Sequence, residues 1–149
     1  MTNDELWDDL VRAERELRSA RTRFLAEDPT EVLRRKLALT GDTPPDQDLA
    51  LHLLHTHGGT RPDVVEALAP ELFEWSLGAN SYRSQWMREV LCLLDRQVLE
   101  RLLRPLVAGF IADRSRDAAD YSGLLALLDM ADLPGLARTV TAAMPRTHP

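Results

Sequence analysis

Three closely spaced histidines are the side chains in this sequence best suited to bind a metal ion. His52, His55 and His57 occupy the run HLLHTHGG, and Asp48 lies one helical turn before the first of them. On a helix, Asp48, His52 and His55 share one face, where imidazoles and a carboxylate could converge on Zn²⁺ or Ni²⁺. The spacing lacks the HExxH pattern and offers no evident fourth ligand. The alternative is a set of solvent-facing histidines near a helix carboxyl end, where partial positive charge is favourable.

Other signals of catalysis are missing from the sequence. Cys92 could act as a nucleophile only beside a base, and its helical neighbours, Arg88 and Glu89 among them, include no histidine. A GxSxG turn and a glycine-rich phosphate loop are both absent. We therefore predict a non-enzymatic protein without cofactor or metal, in which Cys92 is a small packing residue. A metal-dependent regulator or enzyme that uses His52 and His55 is kept as an alternative.

Aromatic and arginine side chains cluster in a second stretch of the chain. Tyr82, Arg83, Trp86 and Arg88 follow one another closely, and Trp, Tyr and Arg are the residue types that dominate binding energy at protein interfaces. This composition predicts a protein-binding surface at these four residues. The alternative is that the aromatic rings, together with Trp75, fill the joint between successive helices.

The acidic side chains are concentrated in one part of the chain. Residues 46 to 79 carry six acids against Arg61 alone, whereas residues 80 to 116 carry seven arginines against four acids. Opposite potentials on adjacent segments could steer a charged partner, or the two sets of side chains could pair internally. The first possibility predicts an acidic patch and, as an alternative function, a small inhibitor or immunity-type protein that neutralises a basic partner. The patch comprises Asp63, Glu66, Glu71 and Glu74.

Length and composition favour a single packed domain over residues 1–149. The chain is 44% hydrophobic and contains one cysteine, which excludes an internal disulfide. Its net charge of −6 disfavours binding to nucleic acid or to anionic membranes, since a phosphate backbone attracts excess Lys and Arg. The acidic start MTNDELWDDL differs from a secretory leader, and the apolar runs are shorter than the ~18 residues of a membrane span. We therefore expect a cytoplasmic protein.

A long helix is predicted at residues 1–28, capped by Asn3 or Asp4. Six apolar residues in it are spaced alternately four and three apart, as in a short heptad seam. The seam consists of Leu6, Leu10, Ala13, Leu17, Ala20 and Phe24. It is the best candidate for self-association as a homodimer; alternatively, it packs against the first repeat. Residues 29–45 are predicted to form a short helix followed by a proline-rich turn.

An internal repeat organises the rest of the chain. When the sequence is shifted by 35 positions, six positions between Val64 and Trp75 coincide with matching residues, five of them apolar and one proline. A repeat of this length indicates helical pairs that bury their apolar faces by stacking on one another. The predicted pairs span 46–78, 80–113 and 117–144, within 46–144, and precede a tail at 145–149. No segment alternates apolar and polar residues, so no strand is predicted.

With these pairs in place, the sequence resembles a HEAT-like helical repeat protein over residues 46–144. The resemblance rests on Trp86-Met87-Arg88 and Val90-Leu91 in the fifth helix and on Leu-Leu dipeptides that end the first helix of each pair. These dipeptides are Leu53-Leu54, Leu93-Leu94 and Leu127-Leu128. Pro70 and Pro105, in the second helices, depart from the usual pattern, which has proline in the first helix. The resemblance implies an all-α, right-handed stack of antiparallel helix pairs, a non-catalytic interaction or adaptor module that presents a concave face to another protein.

Overall fold

The computed structural model describes residues 1–38, 44–78 and 82–145, and all of its regular elements are helical. The elements are α1 (Asn3–Ala26), α2 (Thr30–Leu37), α3 (Pro44–His57), a 3₁₀ turn (Gly58–Thr60), α4 (Pro62–Ser76), α5 (Tyr82–Leu91), α6 (Arg96–Ala112), α7 (Ala118–Met130) and α8 (Pro134–Ala143). The predicted all-α class is confirmed. The described helices include none with the length and hydrophobicity of a membrane span. Most of the predicted tail and part of the proline-rich turn lie outside the described residues.

The cap of α1 is Thr2, and not Asn3 or Asp4 as predicted. Thr2 Oγ1 accepts a hydrogen bond from the amide of Glu5 (3.2 Å), and Glu5 Oε2 accepts one in return from the amide of Thr2 (3.1 Å). This reciprocal capping box satisfies amide groups that the first helical turn leaves free. Asn3 is the first helical residue because Thr2 combines a side-chain oxygen with a glutamate three positions later.

The carboxyl-terminal end of α1 is attached to the body of the protein, by which we mean helices α2 to α8. Phe24 packs against the core, and the Arg61 guanidinium donates hydrogen bonds to the backbone carbonyls of Leu25 and Glu27. Carbonyls at a helix end lack intrahelical partners, so these bonds also satisfy the last turn. Yet no residue of α1, which is described in full, is buried. Packing on the first repeat, one of the two predicted roles of the seam, is therefore confined to this end of the helix.

Helix α3 begins at Pro44 and not at residue 46, where the first helical pair was predicted to start. Proline suits the first turn of a helix, because the amide proton that it lacks would have no intrahelical partner there. Pro44 and Pro45 therefore open α3 instead of closing the preceding turn. The buried Gln47 side chain donates a hydrogen bond to the carbonyl of Leu37 (3.0 Å) and so joins the start of α3 to the end of α2.

One continuous apolar core joins helices α2 to α8. Val64 of α4 and Leu99 of α6, which the 35-residue shift matches, are both buried in it. Pro70 and Pro105 both lie on the exposed side of their helices. The two helices thus bury the same face, as the repeat of 35 residues predicts.

Contacts between the helices follow two rows. Helix α3 contacts α5 and α5 contacts α7, while α4 contacts α6 and α6 contacts α8. The most extensive contact is that between α4 and α5, which are consecutive in the chain but belong to different predicted pairs. The main packing partner of α4 is therefore α5, and not α3, with which it was predicted to pair. Of the three predicted pairs, only α7 with α8 is among the more extensive contacts of the described helices, whereas α3 with α4 and α5 with α6 are not.

Helix α7 approaches the end of α4 closely at Gly123. A Cβ atom at this position would lie 2.4 Å from the backbone oxygen of Leu77, far inside van der Waals contact. Glycine is therefore required at position 123 because the two helices are too close to leave room for a Cβ atom.

Candidate functional site

The predicted metal-binding and protein-binding residues come together along the contact between α3 and α5. Asp48 of α3 accepts hydrogen bonds from Tyr82 Oη (3.0 Å) and from Arg83 Nε (3.0 Å) of α5. These bonds, that from Arg83 above all, lower the pKa of Asp48. The carboxylate is therefore charged at neutral pH and is held by α5. We call this surface the α3–α5 face; it consists of Asp48, His52, His55, Tyr82, Arg83, Trp86 and Glu89.

The aromatic rings of the α3–α5 face lie against one indole. His55 stacks on Trp86, with ring centroids 4.8 Å apart and planes inclined by 20°, and His55 Nε2 lies 2.8 Å from Glu89 Oε2. The ring of His52 is farther from the same indole, at 6.2 Å. Tyr82 meets the indole edge-on, with centroids 6.4 Å apart. These contacts place the rings in the joint between two helices, and Trp86 also packs against the core.

The predicted metal ligands have their partners in α5. Asp48 binds Tyr82 and Arg83, and His55 binds Glu89. Within the part of the chain that the structure describes, no three His, Cys, Asp or Glu side chains are grouped closely enough to hold a metal ion. The arrangement ties α3 to α5 through hydrogen bonds and ring stacking.

Arg88 was predicted to belong to the binding surface, but its side chain is buried and only 2% exposed. Arg88 Nε donates a hydrogen bond to the carbonyl of Ser76 (3.1 Å), the last residue of α4. Burial lowers the pKa of Arg88. The prediction failed because residues five positions apart on a helix, such as Arg83 and Arg88, point about 140° away from each other. Arg88 joins α5 to α4 inside the protein and is not part of a surface.

Each carboxylate of the predicted acidic patch is paired with an arginine. The pairs are Asp63 with Arg61 (3.1 Å), Glu66 with Arg101 (3.6 Å), Glu71 with Arg34 (2.6 Å), and Glu74 with Arg116. Arg34 comes from α2 and Arg101 from α6, so two of the pairs also link helices. Internal pairing, one of the two arrangements that the sequence allowed, is the one found. The patch is therefore largely neutralised within the chain.

The Cys92 thiol follows the last residue of α5 and is half-buried. Burial, with a smaller contribution from the charge of Glu89, raises the pKa of Cys92 to about 11. At neutral pH the sulfur is therefore protonated and a poor nucleophile. Cys92 packs against the core, the role that the sequence predicted.

The partners of the α3–α5 face were not predicted, although the sequence holds a signal for them. Asp48 and Arg83 are 35 residues apart, and His55 and Glu89 are 34 apart. The first separation equals the repeat length found from apolar residues, and the second is one residue shorter. Shifting Asp48 by 35 positions identifies Arg83, whereas shifting His55 by 35 positions gives Val90, the residue next to Glu89. Glu89 was not assigned to any site from the sequence.

Helix α1 carries a stripe of exposed apolar side chains. Leu6, Trp7, Leu10 and Leu17 are 51%, 64%, 59% and 42% exposed. Leu6, Leu10 and Leu17 belong to the predicted heptad seam and Trp7 lies next to it, so all four share one side of the helix. They are four of the ten large apolar side chains that are exposed in the described residues. We call these four residues the α1 stripe.

The α1 stripe leads into an apolar groove of about 290 Å³ between α1, α2 and α3. Leu17, Ala20 and Phe24 of α1 line one side of it, and Leu49 and Leu53 of α3 line another. Leu49 is itself 51% exposed. The carboxyl-terminal half of the seam therefore forms a wall of this α1 groove, and the amino-terminal half continues beyond it.

No protein-family model, curated protein or solved structure matches this chain. Its function is therefore inferred from the geometry of the described residues. The polar side chains of the α3–α5 face pair with each other, and the carboxylates of the acidic patch pair with arginines. The α1 stripe and the α1 groove differ from them, because their apolar groups are exposed to water.

Proposed function

We propose that the chain is a short HEAT-like α-solenoid to which a long helix, α1, is attached. The two rows of contacts, α3 to α5 to α7 and α4 to α6 to α8, support this architecture. Equivalent elements of successive units stack in this way in repeat proteins. Ion pairs between units support it as well, since Asp48 and Arg83 are 35 residues apart and Arg96 and Asp132 are 36 apart. Each separation is close to one repeat length.

We further propose that the protein is a non-catalytic protein-binding module whose binding surface is the α1 stripe with the α1 groove. The observation that carries the proposal is the exposure of four large apolar side chains on one side of one helix. Burying such a side chain contributes roughly 1.5–3 kcal/mol. A contiguous apolar patch rimmed by polar residues is typical of an interaction site. The heptad spacing favours a helix as the partner's binding element, because knobs and holes of two helices then interlock.

The other candidate functions draw less support from the described contacts. An acidic inhibitor needs carboxylates that are free to meet a basic partner, whereas those of the acidic patch are paired with arginines. A metal-dependent regulator needs Asp48 and His55 to converge on an ion, whereas side chains of α5 bind both of them. The net charge of −6 favours a protein partner over nucleic acid.

Affinity capture with matched variants tests the proposal. The full chain is compared with the double variant Leu10→Gln/Leu17→Gln, which makes the α1 stripe polar and retains helix propensity. Arg15→Gln is the control, because it introduces the same side chain on the opposite side of α1. We expect the unmodified chain and Arg15→Gln to retain a protein from an extract of the source cell, either a different protein or the untagged chain itself, and the double variant to lose it. If the double variant retains the same protein as the unmodified chain, the binding surface does not lie on α1.

A further inference from the structure

We infer that the α1 surface binds a second copy of this chain, with the two α1 helices antiparallel. This inference rests on the proposed binding role of the α1 stripe. Each copy would supply one stripe and one groove, so that a two-fold axis relates two equivalent contacts. The sizes of the seam residues, the charges of α1 and the position of the α1 groove each support the arrangement.

The sizes of the seam residues fit an antiparallel pair. The residues opposed in its layers are Leu10 and the partner's Ala20, Leu17 and the partner's Ala13, and Leu6 and the partner's Phe24. Two of these three layers match a large side chain with a small one, as close packing between facing positions requires. In a parallel pair in register, Ala13 and Ala20 would each face their own copies and leave gaps.

The charges of α1 also fit an antiparallel pair. Residues 3–11 hold four acidic and no basic residues, whereas residues 12–26 hold five arginines against two glutamates. An antiparallel partner places the acidic half of each helix beside the basic half of the other, and a parallel partner places like charges together. At the edge of the seam, Asp9 then lies beside the partner's Arg23. Trp7 lies beside the partner's Arg21, where a cation can rest against the indole.

The α1 groove lies where an antiparallel partner would place its exposed helix end. Leu17, Ala20 and Phe24 form a wall of the groove in the basic half of α1. The partner's Leu6 and Trp7 run alongside this wall and cover the exposed Leu49. The dimer thereby fills both grooves and buries both stripes, which leaves no open end for further association.

Sedimentation equilibrium of the full chain, at about 1 to 100 µM, measures the association. We expect a mass of twice 16.8 kDa at the upper concentrations. The association constant should fall at least about tenfold in Leu10→Gln/Leu17→Gln and remain unchanged in Arg15→Gln. A monomer at every concentration would overturn the inference, and so would a dimer that the double variant leaves intact. Because these side chains are exposed in the single chain, far-UV circular dichroism of each variant should match that of the unmodified protein.

Failure of the dimer can be separated from failure of the proposed function. A monomeric chain that still captures another protein through the α1 stripe would overturn the dimer and leave the binding role in place. A monomeric chain without such capture would overturn both. Co-sedimentation of a monomeric chain with anionic phospholipid vesicles would likewise overturn both, since the stripe would then be a membrane contact.

Charge variants test the orientation of the two helices. Asp9→Arg alone and Arg23→Asp alone should each weaken association about tenfold, because like charges then meet across the seam. The combined variant Asp9→Arg/Arg23→Asp should restore it, since each new side chain meets the other in the partner. Failure of this recovery would overturn the antiparallel arrangement.

Glu16 provides a second test of orientation. In the antiparallel pair Glu16 lies near its own copy at the two-fold axis, whereas in a parallel pair it lies near the partner's Arg21. Glu16→Gln should therefore strengthen an antiparallel dimer by removing a repulsion between like charges. A dimer weakened by Glu16→Gln would overturn the antiparallel arrangement.

Discussion

Two arginines of α5 have opposite surroundings. Arg83 reaches outward to Asp48 at a partly exposed surface, with Nε 3.0 Å from the carboxylate. Arg88 is buried and donates a hydrogen bond to the carbonyl of Ser76. The first arginine adds an ion pair between α3 and α5, and the second fills space between α5 and α4 while satisfying a carbonyl at a helix end.

Alanine substitutions should separate these two roles. Arg88→Ala should destabilise the protein by about 3 kcal/mol, because it leaves a cavity and removes the hydrogen bond to Ser76. Arg83→Ala, the matched control, should lose only a small fraction of that amount, because a partly exposed ion pair contributes little. Urea unfolding followed by tryptophan fluorescence measures both losses. Similar losses for the two variants would contradict the burial of Arg88.

The raised pKa of Cys92 predicts slow alkylation of the folded protein. The pKa of about 11 lies above the ordinary value of 9.0, so the folded chain holds roughly 100-fold less thiolate at pH 8 than the unfolded chain. Because the folded pKa is the higher one, the protonated thiol stabilises the fold below pH 9, and this contribution is lost as the pH rises through about 11. Mass spectrometry after iodoacetamide treatment should show a rate that still increases above pH 9.0. A rate that levels off near that pH would contradict the prediction.

At the scale of single residues, the sequence predicts which side chains share a face but not which helix lies opposite. Asp48 and His55 were placed on one face of a helix, and both do bind α5. Whether such side chains meet a metal ion, water or another helix depends on residues that are 34 or 35 positions away in the sequence. The contacts of these side chains could therefore not be predicted from local spacing alone. The presence of residue types suited to a polar contact could be predicted.

At the scale of helices, the local sequence determines the bounds of each helix better than it determines which helices pack together. The spacing of apolar residues is a property of each segment, so the all-α class and the buried faces of α4 and α6 could be predicted. The extensive packing of α4 on α5 depends on the shapes of both helices and on the side chains that they present to each other. Repeat length alone cannot supply that information, and the predicted pairing of α3 with α4 was wrong for this reason.

Two glycines within helices should respond oppositely to alanine. A Cβ at Gly123 would lie 2.4 Å from the Leu77 oxygen, whereas a Cβ at Gly109 would have no described atom within 4 Å. Gly123→Ala should destabilise the protein by about 2 kcal/mol or more, because α7 must move away from α4. Gly109→Ala should stabilise it by roughly 0.5–1 kcal/mol, because alanine loses less backbone entropy in a helix. Thermal unfolding measures both changes, and a more stable Gly123→Ala protein would refute the close approach.

At the scale of the whole molecule, polar and apolar groups are distributed differently between the body and α1. In the body, acids and arginines pair across helices, and the core runs continuously from α2 to α8. In α1, the described contacts with the body involve the carboxyl-terminal half, and the amino-terminal half keeps its leucines and Trp7 exposed. Folding of the body therefore does not account for the apolar residues at the start of α1. An intermolecular contact would account for them.

Two truncations should distinguish the free half of α1 from its attached half. Removal of residues 2–12 should change the stability of the monomer by less than about 0.5 kcal/mol, because these residues are exposed or only partly covered. Removal of residues 2–27 should cost about 2–3 kcal/mol, because it takes Phe24 from the core and the carbonyl acceptors from Arg61. Urea unfolding at concentrations too low for association measures both effects. A large loss from the shorter truncation would mean that the body itself uses the stripe, and there would then be no free surface for a partner to cover.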